Sequence, residues 1–193
     1  MAKSCMFLFC TLKRVNMRLE IEMEKLCIIL MIFFLVIVVE AATKEKLTKL
    51  RFFVEDTFTG ANQTAYKVAQ SNITSTSPSL FGQVNVVDAP FTMGPKAKSK
   101  ILGRAQGIVG FADLNEIGFH MSITFVFTSG KYKGSTLSMM GRNNLLQKHR
   151  QMPIVGGTGA FAMAKGIATT SNYYFDTTTD NAVFEYKIIV NHY

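Results

Sequence analysis

The sequence predicts an all-β protein in which eight antiparallel strands close into a single barrel. Apolar and β-branched runs recur between residues 50 and 190, with Gly, Pro, Asn or Asp clusters between them, which is typical of strands joined by turns. The same region shows no long helical periodicity. Because a chain of 193 residues suits one domain and a closed barrel leaves no free sheet edge, we expect the strands to close.

The predicted strands are short and are bounded by turn-forming residues. They are Leu50–Asp56, Tyr66–Ser71, Gln83–Asp88, Ile101–Phe111, Gly118–Thr128, Ser135–Met140, Ala160–Tyr173 and Ala182–Val190. Alternation is clearest in the fifth run, where one apolar face is formed by Met121, Ile123, Phe125 and Phe127. A barrel of eight strands can hold one small ligand.

The N-terminal part of the chain has the pattern of a secretory signal. Leu26–Val39 is a run of 14 apolar residues, shorter than the roughly 20 that a bilayer span needs, and small residues follow at Ala41 and Ala42. We expect residues 1–41 to be a signal peptide, residues 42–49 a charged linker and residues 50–193 the barrel domain. A retained signal anchor is the alternative, and Met17 or Met23 are alternative start sites.

Cysteine and charge content exclude several classes of site in the barrel domain. Cys5, Cys10 and Cys27 all lie in the expected signal peptide, which leaves no disulfide framework, cysteine metal cluster or thiol nucleophile. Residues 42–193 contain 16 basic and 9 acidic residues, a net charge of +7. Since the basic residues are scattered singly, attraction to anionic cell-wall polymers, or solubility alone, is favoured over nucleic acid as a partner.

Two glycosylation sequons accompany the signal segment. They begin at Asn62 and Asn72, both in a polar stretch between strand-like runs, and they indicate an exported surface loop. We therefore expect an extracellular glycoprotein with no stable membrane association after cleavage of the signal.

Familiar catalytic patterns are missing from the sequence. It contains no phosphate-binding glycine loop and no nucleophile elbow. His120, His149 and His192 lack the spacing of metal ligands. We expect no metal, no cofactor and no oxidation of substrate by this chain itself.

Four ordered sequence blocks resemble plant dirigent proteins, and the resemblance covers residues 51–193. The blocks are FFVEDTFTGANQT from Phe52, ILGRAQG from Ile101, FVFTSGKYKGSTLSMMGRN from Phe125 and MPIVGGTGAFAMAKG from Met152. The resemblance implies a barrel akin to allene oxide cyclases, a pocket at its mouth, and a trimeric or dimeric homo-oligomer in the apoplast. It also implies that a laccase or peroxidase makes the phenoxy radicals, whose coupling the protein orients.

The resemblance assigns the two main candidate catalytic residues. Asp56 matches the family's pocket aspartate, and a carboxyl inside an apolar barrel is pushed towards its neutral, proton-donating form. Arg150 matches the pocket arginine, whose forked donors can hold a phenolic oxygen. A turn-capping role for Asp56 and a surface position for Arg150 are the alternatives. Glu55 stands where the family usually has histidine.

Two positions depart from lignan-forming relatives. Val109 replaces a pocket tyrosine and Asn143 replaces a second aspartate, so neither can donate an acidic proton. The Gly-Arg-Asn form of this segment resembles the dirigent-like subfamily associated with defence and lignin deposition. Phe111, Phe125 and Phe175 either line the pocket with these two residues or fill the core.

The expected function is stereoselective coupling of monolignol radicals, such as those of coniferyl alcohol, without oxidation by the chain itself. A quinone-methide cyclase or isomerase with the same barrel is one alternative. A non-catalytic cell-wall scaffold in lignin deposition and defence is the other.

Overall fold

The computed structural model describes residue 18 and residues 22–38, 45–96, 98–179 and 181–193. The chain divides into two compact units, Met1–Lys44 and Glu45–Tyr193. In the first unit residues 22–38 form an α-helix with exposed side chains. Among the described residues no helix is long and apolar enough to cross a membrane. The expected cleavage site after Ala41, together with Cys5 and Cys10, lies outside the described residues.

The second unit is a sheet of nine antiparallel strands. They are β1 (Lys46–Asp56), β2 (Ala65–Ala69), β3 (Val84–Thr92), β4 (Ile101–Phe111), β5 (Gly118–Phe127), β6 (Thr136–Asn144), β7 (Arg150–Thr158), β8 (Lys165–Phe175) and β9 (Ala182–His192). The strand order is β1-β9-β8-β7-β6-β5-β4-β3-β2, and β1 also pairs with β3. This pairing closes eight strands into a barrel and leaves β2 outside it, which confirms the predicted fold class.

The strand predictions contain one omission and one wrong start. β7 was not predicted, because Pro153, Gly156 and Gly157 are residue types that sheets disfavour. The run predicted from Ala160 begins instead in a 3-10 turn, and β8 starts at Lys165. The eight predicted strands include β2, which does not belong to the barrel, and lack β7, which does.

Other strand limits also differ from the predicted ones, by four residues in β1, β3 and β6; β6 ends at Asn144 and not at Met140. β1 begins at Lys46, which pairs with His192 at the end of β9. Residues 46–49, which were expected to be a linker, are therefore part of the barrel. β3 continues to Thr92 through Asp88-Ala89-Pro90, residues that indicate a turn in a sequence but here pair with β4.

Alternation along the strands builds an apolar interior. The predicted inward face of β5, from Met121 to Phe127, is buried. In the middle of the barrel Phe52 contacts Phe91 and Phe125, with ring centroids 4.7 Å and 4.9 Å away. Each buried aromatic ring stabilises the fold by roughly 2 kcal/mol.

The barrel has one open end, called here the mouth, and one filled end, called the closed pole. The connections after β1, β4, β6 and β8 lie at the mouth. The connections after β3, β5 and β7 lie at the closed pole, and so do the start of β1 and the end of β9. Tyr132 and Phe161 fill the pole, with ring centroids 4.7 Å apart. His192 is buried beside them and is 2.8 Å from the Thr48 hydroxyl. Among the described residues the pole is therefore filled by side chains, and the interior is open to a ligand at the mouth.

Replacing Gly103 tests how closely the barrel is packed. A Cβ atom at this position of β4 would lie 2.0 Å from the Val126 carbonyl oxygen and 2.7 Å from the Phe91 ring. We expect Gly103→Ala to lower the free energy of unfolding by about 3 kcal/mol, the upper range for overpacking. Gly156→Ala is the matched control, because a Cβ atom there meets nothing within 4 Å. Urea unfolding followed by circular dichroism measures both, and equal stabilities would contradict this packing.

Candidate active site at the mouth of the barrel

A cavity of about 280 Å³ opens at the mouth of the barrel. Its wall is mainly apolar and includes five phenylalanines, with a few polar side chains between them. The lining residues are Asp56, Phe58, Leu80, Gln83, Asn85, Val87, Val109, Phe111, Ile117, Phe119, Met121, Asn143, Leu145, Phe175, Ala182, Phe184 and Tyr186. Such a cavity suits a small ligand that is itself largely apolar.

Aromatic rings give the cavity its shape. Phe111 at the end of β4 and Phe119 at the start of β5 pack edge to face, with centroids 4.6 Å apart. Phe175 ends β8 and is 42% exposed, so its ring extends the wall to the rim. Flat rings prefer offset or edge-to-face contacts with other rings, and a planar aromatic guest fits this wall.

Four buried polar atoms lack a hydrogen-bond partner among the described residues, and all lie at the cavity or directly behind it. They are Oδ1 of Asp56, Oδ1 of Asn143, Nε of Arg150 and Oγ1 of Thr170. Asn143 uses its amide nitrogen to donate a hydrogen bond to the Met121 sulfur, at 3.0 Å. An unsatisfied buried polar group costs roughly 1–3 kcal/mol. A guest with hydroxyl or carbonyl groups would relieve part of that cost.

Asp56 is the acidic group of the cavity. It ends β1, two residues beyond Val54 on the inward face, and its Oδ1 atom is buried. Burial raises the pKa of Asp56 from 3.8 to about 7, because a charge is poorly solvated in apolar surroundings. Near neutral pH a large part of the protein therefore carries a neutral carboxylic acid that can donate a proton.

Arg150 is buried but does not line the cavity, which corrects the position expected from sequence. Its guanidinium donates hydrogen bonds to the carbonyl oxygens of Leu145 and Gln147, at 3.2 Å and 3.1 Å, and to the side chain of Asn172, at 2.8 Å. It also lies over the Phe184 ring, 5.8 Å from the centroid. Burial lowers the pKa of Arg150. It fixes the connection after β6 and places a positive charge behind the cavity wall.

The structure brings four of the remaining candidates to the cavity and leaves one outside. Val109, Phe111, Asn143 and Phe175 line it. Phe125 does not: it is fully buried deeper in the barrel, with its ring 5.3 Å from that of Tyr186. Alternation predicted the face of Phe125 correctly, but depth along β5 decides whether an inward residue meets the cavity or the core.

Tyr186 is a cavity residue that the sequence analysis missed. It lies on β9, is almost fully buried and forms part of the cavity floor. Burial, with a smaller contribution from the Asp56 charge, raises the pKa of its phenol, so Tyr186 remains a neutral hydroxyl. The alternation of Ala182, Phe184, Tyr186 and Ile188 was visible in the sequence and could have indicated this face.

Ion pairs hold part of the rim in place. Arg142 on β6 donates to Asp113 at 2.7 Å and to Glu116 at 3.2 Å, both in the connection after β4. The hydrogen bond from Arg142 lowers the pKa of Asp113 to about 2. The backbone amide of Leu145 also donates to the Ile117 carbonyl oxygen at 3.1 Å. These contacts fix Ile117 and Leu145, two apolar lining residues, at the entrance.

Other residues named from the sequence lie away from the cavity. Asn62 and Asn72 are exposed, in separate connections on either side of β2. Glu55 is exposed on the outside of β1. Within the described part of the chain, no group of three or more His, Cys, Asp or Glu side chains is placed to hold a metal ion.

Comparison with known proteins identifies relatives that cover this whole barrel. The model of the family described as "Dirigent-like protein" matches residues 47–191. Dirigent protein 23 of Arabidopsis thaliana is 45% identical over 153 residues, which are 79% of this chain and 82% of the relative. Pterocarpan synthase 1 of Glycine max is 41% identical over 151 residues, 78% of this chain and 81% of the relative.

Solved structures agree with the sequence comparisons. The structure of a pterocarpan synthase dirigent protein superposes with a TM-score of 0.73 at 41% identity, covering 78% of this chain and 87% of the other. A second pterocarpan synthase dirigent protein gives a TM-score of 0.72, covering 77% and 96%. The barrel is thus shared in sequence and in structure.

Replacing Asp56 should change how stability depends on pH. The folded pKa of about 7 lies above the ordinary value of 3.8, so between these pH values the folded state keeps a proton that the unfolded state releases. The free energy of unfolding should therefore fall from about pH 4 to about pH 7, by on the order of 3 kcal/mol. The side chain of the Asp56→Asn variant is neutral at every pH, so the variant should have a higher free energy of unfolding than the parent at pH 8.5. At pH 4 the two proteins should have nearly the same free energy of unfolding.

Denaturant unfolding at the two pH values measures this difference. Glu55→Gln is the matched control, since it removes a neighbouring carboxyl that is exposed. An Asp56→Asn variant less stable than the parent at pH 8.5 would contradict burial of the acid.

Proposed function

Because this chain belongs to the dirigent family, we propose that it binds one oxidised phenylpropanoid at the mouth and imposes one handedness on the bond formed there. The single observation that carries the proposal is Asp56, a neutral acid in an aromatic cavity. The protein supplies position and a proton, while the oxidation is performed elsewhere.

Cavity size favours a reaction within one guest molecule. A volume of about 280 Å³ is at the lower limit of ordinary ligand pockets, which hold roughly 300–1,000 Å³. One phenolic guest fills such a space and two compete for it. The best-supported chemistry is therefore ring closure of a quinone methide, and the similarity to two pterocarpan synthases supports this choice.

The proposed step balances without an oxidant. Asp56 gives its proton to the carbonyl oxygen of the quinone methide, which becomes a phenol. A hydroxyl group of the same guest attacks the methide carbon and forms a C–O bond, and the proton lost by that hydroxyl restores the Asp56 carboxyl. The product is an isomer of the guest. A pKa of about 7 suits both donation and recovery of the proton near neutral pH.

Other cavity groups would orient the guest. The unpartnered Oδ1 of Asn143 can accept a hydrogen bond from the attacking hydroxyl, and Tyr186 offers a neutral phenol at the floor. Because β5 and β6 fix Asn143, and β9 fixes Tyr186, the guest meets these groups in one orientation only. Apolar walls exclude water, which would otherwise attack the methide carbon from either face.

Monolignol radical coupling is the second candidate. Coupling of two phenoxy radicals, made by a laccase or peroxidase, also creates a quinone methide that Asp56 could protonate. The observation that favours it is the apolar rim: Leu80 and Phe175 line the entrance and are about two-fifths exposed, and Leu146 is exposed nearby. A second phenol could lie there while the first occupies the cavity. Val109 and Asn143 separate this chain from typical lignan-forming members.

We propose an extracellular setting for either activity. The proposal is supported by the signal-like segment and by exposed sequons at Asn62 and Asn72. Assembly as a homo-oligomer, a trimer or a dimer, is proposed from the resemblance. A scaffold without catalytic activity, serving lignin deposition and defence, is the alternative if no stereoselectivity is found.

Turnover of a quinone methide by the purified protein, with no laccase or peroxidase present, tests the first candidate. We expect one enantiomer of the cyclised isomer in excess, measured by chiral chromatography. Asp56→Asn should lose at least about 100-fold in rate, as expected for removal of a general acid, with an unchanged circular dichroism spectrum. Glu55→Gln should behave as the parent. Unchanged rate and handedness in Asp56→Asn would exclude Asp56 as the proton donor.

Coniferyl alcohol with laccase, with and without the protein, tests the second candidate. An enantiomeric excess in the coupled product that needs both proteins would establish radical coupling as the activity. Racemic product in this reaction and in the laccase-free reaction would leave the scaffold role.

A further inference from the structure

The closed pole carries a concentration of exposed positive charge. Four separate chain segments place lysines there: the start of β1, the connections after β3 and β5, and the start of β8 beyond the connection after β7. The end of β9 also lies at this pole but has no lysine. The exposed lysines are Lys46, Lys96, Lys98, Lys100, Lys131, Lys133 and Lys165. Their number equals the whole net charge of +7 of residues 42–193.

Direct contacts join these segments into one surface. The backbone amide of Ser129, after β5, donates to the Leu102 carbonyl oxygen at 3.1 Å. The amide of Ala160, after β7, donates to the Ser135 hydroxyl at 2.9 Å. Thr48 of β1 contacts His192 of β9 at 2.8 Å. Because the pole is also filled by packed rings, the lysines stand on a rigid base.

Acidic neighbours do not neutralise this surface. Glu45 is the one acidic side chain among the described residues of the pole, and none of the seven lysines forms an ion pair with a described residue. On the barrel wall and rim, Arg51, Arg104 and Arg142 are paired with carboxylates. Exposed lysines also occur there, at Lys49, Lys67 and Lys148, so the pole is distinguished by the concentration of its lysines. Uncompensated charges of one sign on one face attract a polyanion and hold it through many weak contacts.

We propose that the closed pole binds a linear acidic polysaccharide, a polyuronate whose sugar units carry carboxylates. All seven cations are lysines, which act as point charges on flexible stems and suit a regularly spaced, well-hydrated polyanion. Sites that read nucleic-acid bases use side chains that form paired hydrogen bonds, and single-strand sites use exposed aromatic platforms, whereas Tyr132 at this pole is half-buried against Phe161. Met93 and Met163 are exposed here, but single apolar side chains are ordinary on protein surfaces.

Binding at the pole leaves the cavity open. The mouth is at the opposite end of the barrel, so a polymer on the lysines does not cover the entrance near Leu80 and Phe175. The pole would thus anchor the protein on a polyuronate matrix and present its cavity to diffusing phenols. Anchoring at the pole is independent of which phenol reacts at the mouth.

Binding to polygalacturonate, measured at increasing NaCl concentration, tests the proposal. The pole variant replaces one lysine from each of three segments by glutamine: Lys98, Lys131 and Lys165. The matched control makes the same change at Lys49, Lys67 and Lys148, which are exposed on the wall and at the mouth. We expect the pole variant to bind about tenfold more weakly at low salt and the control variant to change less than twofold, with binding by the parent lost as salt screens the charges.

Three outcomes would overturn the proposal: no binding by the parent, equal losses in the two variants, or equal or tighter binding of the parent to double-stranded DNA or to phosphatidylserine vesicles. Neutral dextran serves as the blank, and circular dichroism confirms that each variant is folded. The pole variant should keep the rate and product handedness of the parent in the phenol assays. A failure here is therefore distinguishable from a failure of the proposed chemistry.

Discussion

Closure of the barrel between β1 and β3 is the constraint on which the site depends. The seam consists of two residue pairs, Phe53 with Thr92 and Val54 with Phe91, whereas β1 pairs with β9 along its whole length. Just beyond the seam β1 enters the mouth, and its next inward residue is Asp56. The contact that removes the sheet edge thus also places the acid among aromatic side chains, where its pKa rises.

The open cavity at the mouth makes the barrel less stable than it would be if this end were filled like the core. Below the cavity, rings of Phe52, Phe91 and Phe125 pack against one another. Above them, buried polar atoms of Asp56, Asn143 and Arg150 lack partners within the described chain. Unsatisfied groups of this kind are characteristic of functional sites, which trade stability for reactivity. The packed core towards the closed pole therefore stabilises a mouth whose cavity can bind a ligand.

The two ends of the barrel differ in charge as well as in packing. The closed pole is sealed by Tyr132, Phe161 and His192, and the lysines around it form no ion pair with any residue that the structure describes. At the mouth Arg142 is paired with Asp113, and Arg150 is buried behind the wall. An anionic polymer and a neutral aromatic guest would consequently meet opposite ends of the same molecule.

The sequence by itself determined the barrel, the inward faces and the family, because alternation of apolar residues is local and the four dirigent blocks are contiguous. It identified Asp56, Val109, Asn143, Phe111 and Phe175, all of which line the cavity. It missed β7, whose proline and glycines favour a turn but here pair with β6 and β8, and it missed Tyr186.

Only the tertiary structure decided how deep each inward side chain lies in the barrel and which groups it contacts. It placed Phe125 in the core instead of the cavity, and Arg150 behind the wall, where its guanidinium is engaged by backbone carbonyls. It also gathered lysines from separate loops at one pole. These outcomes depend on strand tilt and on contacts between residues far apart in the chain, and local sequence patterns carry no record of either.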